Sequence, residues 1–233
     1  MPPQGDVAVV IPARNESDRI HDTVRAAAGL PGVDLVVVVD DGSRDGTSLG
    51  AERAGAAVMR HARARGKGAA METGAEAVRL LDEHKSRANP RHLLFLDADL
   101  GSTAAYAGPL AEPVIAGEAD MTIAVFTSTI KLGGHGLVVG LSGTGIRRAT
   151  GWQPAQPLNG QRCLTRAAFE AARPLAAGFG VETGLTIDLA RKGLRITEVE
   201  VPLAHRATGT DLRSQWHRAR QLADVARALA TRL

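Results

Sequence analysis

The chain predicts an α/β fold, a doubly wound and mainly parallel sheet with helices on both faces, and three observations carry that prediction. Short apolar runs alternate with amphipathic segments through the first half of the sequence. The first two runs and the fourth end in a polar loop rich in acids, bases or glycine, as buried strands do where they reach the carboxyl edge of an open sheet. The 233 residues are 44% hydrophobic, which fills one sizeable core and suits a single domain over 1–233 better than two small ones.

Taken in order, residues 7–11 form an apolar run closed by Pro12, and Asn15-Glu16-Ser17-Asp18 offers caps to a helix over about 19–28. A second run, 35–39, ends on Asp40-Asp41-Gly42-Ser43, and a helix is expected over 47–56. Residues 58–59 make a short third strand, 68–84 a long helix and 93–96 a fourth strand. A fifth strand is expected at 121–126. The stretch 131–145 holds six glycines and reads as a mobile loop or a broken helix lining a site. Helices follow over 165–173 and 181–192, then an alternating strand over 195–201 that stops at Pro202. The last stretch, 212–233, is an amphipathic helix with Trp216, Leu222, Val225 and Leu229 on or near one face.

Composition narrows the function classes. A net charge of +3 suits phosphate-rich ligands without demanding nucleic acid, and 3% aromatic content argues against a stacking platform for single strands. One cysteine, Cys163, excludes an internal disulfide and any multi-cysteine metal site, and reads as a small buried apolar residue. No apolar stretch is long enough to span a membrane and no secretory leader is visible, so the expected location is cytoplasmic.

Asp97-Ala98-Asp99 follows the apolar run 93–96, so both carboxylates emerge at a strand's carboxyl end. Carboxylate oxygens suit Mg2+ or Mn2+, which keep positions open for substrate phosphates. Pro12-Ala13-Arg14-Asn15-Glu16 offers backbone donors, a guanidinium and a carboxylate, though an ordinary helix start explains it too. Asp40-Asp41 offers acceptors for a base's imide or amide proton, though a plain turn would also serve. Gly66-Lys67-Gly68 follows Arg60, Arg63 and Arg65 and precedes a helix, an arrangement that favours phosphate but lacks P-loop spacing.

Together the segments Val-Val-Ile-Pro-Ala-Arg-Asn-Glu, Val-Val-Asp-Asp-Gly-Ser-Arg-Asp-Gly-Thr, Arg-Gly-Lys-Gly and Leu-Asp-Ala-Asp-Leu resemble the nucleotide-sugar half of a GT-A glycosyltransferase of the family 2 type. The resemblance makes 1–100 a donor-binding half and 101–233 an acceptor-binding half. It implies that Pro12, Ala13, Arg14, Glu16, Asp41, Gly66 and Lys67 contact the nucleotide, with Asp97 and Ala98 beside the ribose or sugar and Asp99 on a metal.

The second half is similar to glucosyl-3-phosphoglycerate synthases in Gln156-Pro157-Leu158-Asn159-Gly160-Gln161-Arg162, in Gly178-Phe179-Gly180-Val181-Glu182-Thr183-Gly184-Leu185 and in Leu203-Ala204-His205-Arg206. That similarity implies His205 as second metal ligand, Glu182 with Asp97 as catalytic carboxylates near the transferred sugar, and Gly160 in the substrate site. A helix N-terminal glutamate would be an ordinary alternative for Glu182. Where the family carries Gly-Gly-Arg-Val-Thr, this chain reads Gly133-Gly134-His135-Gly136-Leu137, and the family's asparagine after the histidine and arginine is Ala207. The acceptor is therefore expected to differ from 3-phosphoglycerate, with His135 and Arg147 as candidate contacts.

The expected reaction is metal-dependent transfer of a hexose, glucose first, from UDP-glucose or a related donor to a small acceptor. Retention of configuration is favoured, with inversion left open. A polyprenyl-phosphate glycosyltransferase with a lipid-phosphate acceptor is an alternative, since the first half also looks like dolichyl-phosphate mannose and glucose synthases. Peripheral membrane contact through the last helix would then follow. A non-catalytic nucleotide-sugar binding module is the third reading. A homodimer is compatible with each, and no nucleic-acid partner is expected. Trp152 is a sugar platform or a core residue.

Overall fold

Strand β1 (Val7–Ala13) shows why the sheet is buried on both sides: Val7, Val9 and Ile11 enter one core while Ala8 and Val10 enter the other. In the computed structural model, which describes residues 6–127, 136–203 and 212–233, this strand stands near the middle of seven. β2 (Val33–Asp40) lies parallel on one side, with β3 (Ala57–Arg60) beyond it, and β4 (His92–Phe95) lies parallel on the other. β5 (Met121–Phe126), β6 (Arg162–Leu164) and β7 (Ile196–Val201) complete the order β3-β2-β1-β4-β6-β5-β7. β6 runs antiparallel to both β4 and β5.

Two differences from the expected strands have simple causes. β1 continues through Pro12, which sits opposite Val39 but past the last β4 partner, the Val10 and Phe95 pair, so the missing N–H breaks no ladder bond. β6 was not expected, because three residues are too few for an alternating pattern to show.

Helices α1 (Ile20–Ala28), α2 (Thr47–Arg53) and α4 (Glu112–Ile115) bury Ile20, Val24, Ala27, Ala51 and Val114 on one face of the sheet. On the other face lie α3 (Lys67–His84), α6 (Arg166–Ala172) and α7 (Val181–Arg191), contributing Met71, Val78, Phe169, Leu185 and Leu189. Phe169 stacks on Phe95 of β4 with ring centroids 5.6 Å apart. Thr165 caps α6, accepting the N–H of Ala168 at 3.0 Å. α1 uses none of the expected caps: its N-cap is Arg19, which makes no side-chain cap bond.

The glycine-rich stretch is the main correction. From Gly136 onward it is a continuous helix, α5 (Gly136–Thr150), while residues 128–135 lie outside the described residues. None of its glycines breaks the helix, and Gly145 makes room for a neighbour. A Cβ on Gly145 would collide with Leu229 of α8 (Leu212–Ala230), so its absence lets the two helices close on a third core of Val138, Ile146, Ile187, Val225 and Leu229. Val225 and Leu229 are buried as expected, but Leu222 is 39% exposed, and the Trp216 side chain is outside those described. Trp152 is half-buried and packs against the second and third cores. Cys163 is fully buried, and burial pushes its thiol well above the ordinary value. Among the described residues, no helix is long and apolar enough to cross a membrane.

Candidate active site

β1, β2 and β4 run parallel, so their outgoing loops gather at one sheet edge. The loops after β1 and β2 are braced together. Asn15 N–H donates to Ser43 Oγ at 2.9 Å, Glu16 N–H to Thr47 Oγ1 at 2.9 Å and Ser17 N–H to Asp45 Oδ2 at 3.3 Å. Asn15, at φ 55°, returns an acceptor to Arg44 N–H at 2.9 Å. The N–H groups of Asn15 and Glu16, expected to meet a ligand, are therefore spent within the fold. Pro12 is half-buried, Ala13 is buried with its carbonyl accepting Asp41 N–H at 2.8 Å, Arg14 is exposed and Glu16 is half-buried.

The two adjacent acids after β2 are buried for different ends. Asp40 accepts Ser43 N–H at 2.7 Å and the Ser48 hydroxyl, with Arg60 Nε at 3.7 Å. Asp41 accepts His61 Nδ1 and Arg65 N–H, each at 2.7 Å, on one oxygen, and Gly66 N–H at 2.8 Å on the other. Burial alone would raise its pKa, but these hydrogen bonds outweigh that and hold it below the ordinary carboxylate value. His61 also pairs with Thr73 Oγ1 at 2.9 Å. Asp41 thus anchors the basic turn 61–66, and Gly66 at φ +94° then launches α3 with Lys67 as its first residue.

Lys67 joins the two halves of the chain. Its Nζ lies 2.7 Å from Asp97 Oδ1 and 2.8 Å from Glu182 Oε1. Burial would lower its pKa, but the two carboxylates outweigh that and keep the ammonium charged well above the ordinary lysine range. Glu182 is 6% exposed, whereas the Asp97 and Lys67 side chains are 25% and 19% exposed, so the cluster opens through those two. Gly160 closes over it. A Cβ there would collide with Lys67 Nζ and sit 3.1 Å from both Asp97 oxygens, so no larger residue fits without displacing the pair.

The turn carrying Asp97, Ala98 and Asp99 is clamped from α1. Thr23 Oγ1 donates to Ala98 O and accepts Gly101 N–H, each at 2.8 Å, and Arg19 Nη1 donates to Asp99 O at 3.2 Å. Ala98 is buried and Asp99 half-buried. On the opposite side, Gln161 Nε2 donates to Asp97 Oδ2 at 2.8 Å. Arg162, 1% exposed, reaches Asn159 O, Pro157 O, Glu182 O and Thr186 Oγ1, tying the 157–162 loop to α7. Burial pulls its guanidinium down to about 10, with Glu182 opposing the fall, so it stays charged at neutral pH.

Of the residues picked out by sequence, Lys67, Asp97, Gly160 and Glu182 come into direct contact, and Asp41 and Gly66 support Lys67 from behind. His135 and His205 lie outside the described residues, and Arg147 is exposed on the last turn of α5. Sequence reasoning missed Thr23, His61 and the roles of Gln161 and Arg162. Gln161 precedes β6 and Arg162 opens it, and the apolar pair Cys163-Leu164 that follows is too short to stand out. Among the described residues no three His, Cys, Asp or Glu side chains gather to hold a metal, and Asp99 stands as a hard oxygen donor beside Asp97.

A GT-A sheet with one antiparallel strand, and an Asp-x-Asp turn facing a partly buried lysine and a buried glutamate, define a glycosyltransferase class, and sequence comparison agrees. Residues 8–139 match the model of glycosyl transferase family 2, and the chain belongs to that family. It is 30% identical over 215 residues to the glycosyltransferase AglJ of Haloferax volcanii, covering 91% of this chain and 67% of that one. It is 28% identical over 205 residues to the glucosyl-3-phosphoglycerate synthase of Mycolicibacterium paratuberculosis, covering 78% of this chain and 59% of that one. The glucosyl-3-phosphoglycerate synthase of Mycobacterium tuberculosis in complex with Mn2+, UDP and phosphoglyceric acid superposes with a TM-score of 0.76 at 26% identity, over 97% of this chain and 78% of that one. A second structure of that synthase, with Mn2+, UDP-glucose and phosphoglyceric acid, gives 0.72 at 26% identity, over 96% and 79%.

Proposed function

We propose that this glycosyltransferase moves a hexose, glucose first, from UDP-glucose to a small acceptor other than 3-phosphoglycerate. The observation that carries the reading is the Lys67, Asp97 and Glu182 cluster, partly open and roofed by Gly160, at the edge where the loops after β1, β2 and β4 meet. One ammonium between two carboxylates supplies both donors and acceptors, which suits the hydroxyls of a neutral sugar. The loops through Pro12, Ala13, Arg14, Glu16, Asp41 and Gly66 would then hold the nucleotide beside that cluster.

Asp99 and His205 are the proposed ligands for Mg2+ or Mn2+, whose charge would neutralise the diphosphate leaving group. The oxygen of Asp99 fits such a hard cation, and the solved relatives carry Mn2+ or Mg2+. The chain's own groups do the rest: Lys67 and Asp97 orient the sugar, and Glu182 faces it as the second carboxylate. Departures at Gly133-Gly134-His135-Gly136-Leu137 and at Ala207 support a different acceptor, with His135 as a contact. We assign 1–100 to the donor and 101–233 to the acceptor within one domain, in a reducing compartment that suits a lone buried thiol.

Transfer from radiolabelled UDP-glucose, with Mn2+, to a panel of small hydroxyl and phosphate acceptors that includes 3-phosphoglycerate tests this. Label is expected on a panel member other than 3-phosphoglycerate, and rapid transfer to 3-phosphoglycerate would overturn the acceptor reading.

A further inference from the structure

We propose that Gln161 is a positioning residue for the donor sugar, acting through Asp97, a proposal that rests on the donor reading above. Gln161 is fully buried and its backbone is fixed on both sides. Its N–H donates to Asn159 Oδ1 at 3.0 Å and its carbonyl accepts Ala124 N–H from β5 at 3.0 Å. Because Phe95 faces Arg162 across the β4 and β6 ladder, the residue before Arg162 arrives at the end of β4 where Asp97 emerges. The side chain then spans from the core to the partly open carboxylate.

Asp97 is held at both oxygens, by Lys67 Nζ on Oδ1 at 2.7 Å and by Gln161 Nε2 on Oδ2 at 2.8 Å. The two donors do different things. An ammonium on a flexible stem is a point charge that attracts the carboxylate without fixing its plane, and here it is shared with Glu182. A packed, planar amide on an anchored backbone does fix the plane. The second observation is that Gln161 Oε1 is buried without a hydrogen-bond partner. Turning the amide over would set that oxygen against the carboxylate, so the unpaired acceptor is the consequence of donating to Asp97. An apolar side chain of the same size would fill the space without an unsatisfied carbonyl, so the fold alone has no use for this amide.

The test is calorimetric titration of the full chain with UDP and with UDP-glucose, each with Mn2+, comparing wild type with Gln161→Met, which keeps the volume and removes the amide. UDP affinity is expected to stay within about two-fold, while the affinity for UDP-glucose relative to UDP falls about five- to ten-fold, the effect of losing one hydrogen bond to a charged group. The melting temperature should stay close to that of wild type, since the unpaired carbonyl goes with the amide. A purely structural role would lower the melting temperature and both affinities together. Should Gln161→Met fail to fold, Gln161→Glu keeps the reach, replaces a donor by an acceptor against Asp97 and predicts the same selective loss. An unchanged UDP-glucose to UDP ratio in a folded variant overturns the proposal. A wild-type chain that binds neither ligand overturns the donor reading itself, and this proposal with it.

Discussion

Asp41 is buried beneath the site, and three donors hold its charge: His61 and the N–H groups of Arg65 and Gly66. Its folded-state pKa lies below its unfolded value, so the stability it contributes is full above about pH 5 and is lost as pH falls through the depressed value. Asp41→Asn should cost about 1–3 kcal/mol at neutral pH. The variant should also lose less stability than wild type on acidification from about pH 5 to about pH 3. Melting curves by circular dichroism across that range check this, and parallel pH profiles would refute it. The sign for Lys67 is opposite: its raised pKa means that its contribution persists through neutral pH and is lost only above the ordinary lysine range. Gly160→Ala is predicted to weaken UDP-glucose binding by about ten-fold or more while the chain stays folded, because the added methyl displaces Lys67 from Asp97. Unaltered binding in a titration would show that Lys67 can move at no cost.

Between elements, the seam of α5 against α8 depends on Gly145 lying under Leu229. Leu229→Ala should destabilise the chain by about 2–4 kcal/mol through the cavity it leaves. Gly145→Ala should destabilise it through overpacking, and the double variant should be more stable than the sum of the two single effects predicts, because the smaller side chain makes room for the new methyl. Urea denaturation of the four proteins checks this, and strict additivity would mean that the seam does not couple them. The same seam shows why part of the fold was illegible in the sequence. β1, β2 and β5 announced themselves through apolar runs, but glycines at 136, 140, 143 and 145 look like breakers in sequence, and the partner that explains Gly145, Leu229, lies more than 80 residues away. β6 gave no signal because three residues show no period, and it is β6 that brings Gly160 and Gln161 to Asp97.

Across the whole molecule, one sheet carries both halves, with β6 bonded to β4 of the first and β5 of the second. Lys67 and Glu182 join the halves again across the site. Calorimetric unfolding should therefore show one transition whose calorimetric and van't Hoff enthalpies agree. Two transitions would split the chain near residue 100. At this scale, family motifs made individual site residues legible, because Pro12 to Glu16, Lys67 and Asp97 to Asp99 each stand at the end of a run or the start of a helix. Their mutual geometry was not legible, since Lys67, Asp97 and Glu182 are far apart in sequence and no local pattern says that one lysine serves both carboxylates.

On this reading, the loops after β1, β2 and β4 and the Lys67 cluster form a metal-assisted nucleotide-sugar site. Titrating wild type and Asp99→Ala with UDP-glucose in the presence and absence of Mn2+ tests it most directly. Binding to wild type should strengthen by about ten-fold or more with Mn2+, and the Asp99→Ala protein should fold but show no Mn2+ effect. Binding that is indifferent to Mn2+ in wild type, or equally Mn2+-dependent in Asp99→Ala, would contradict it.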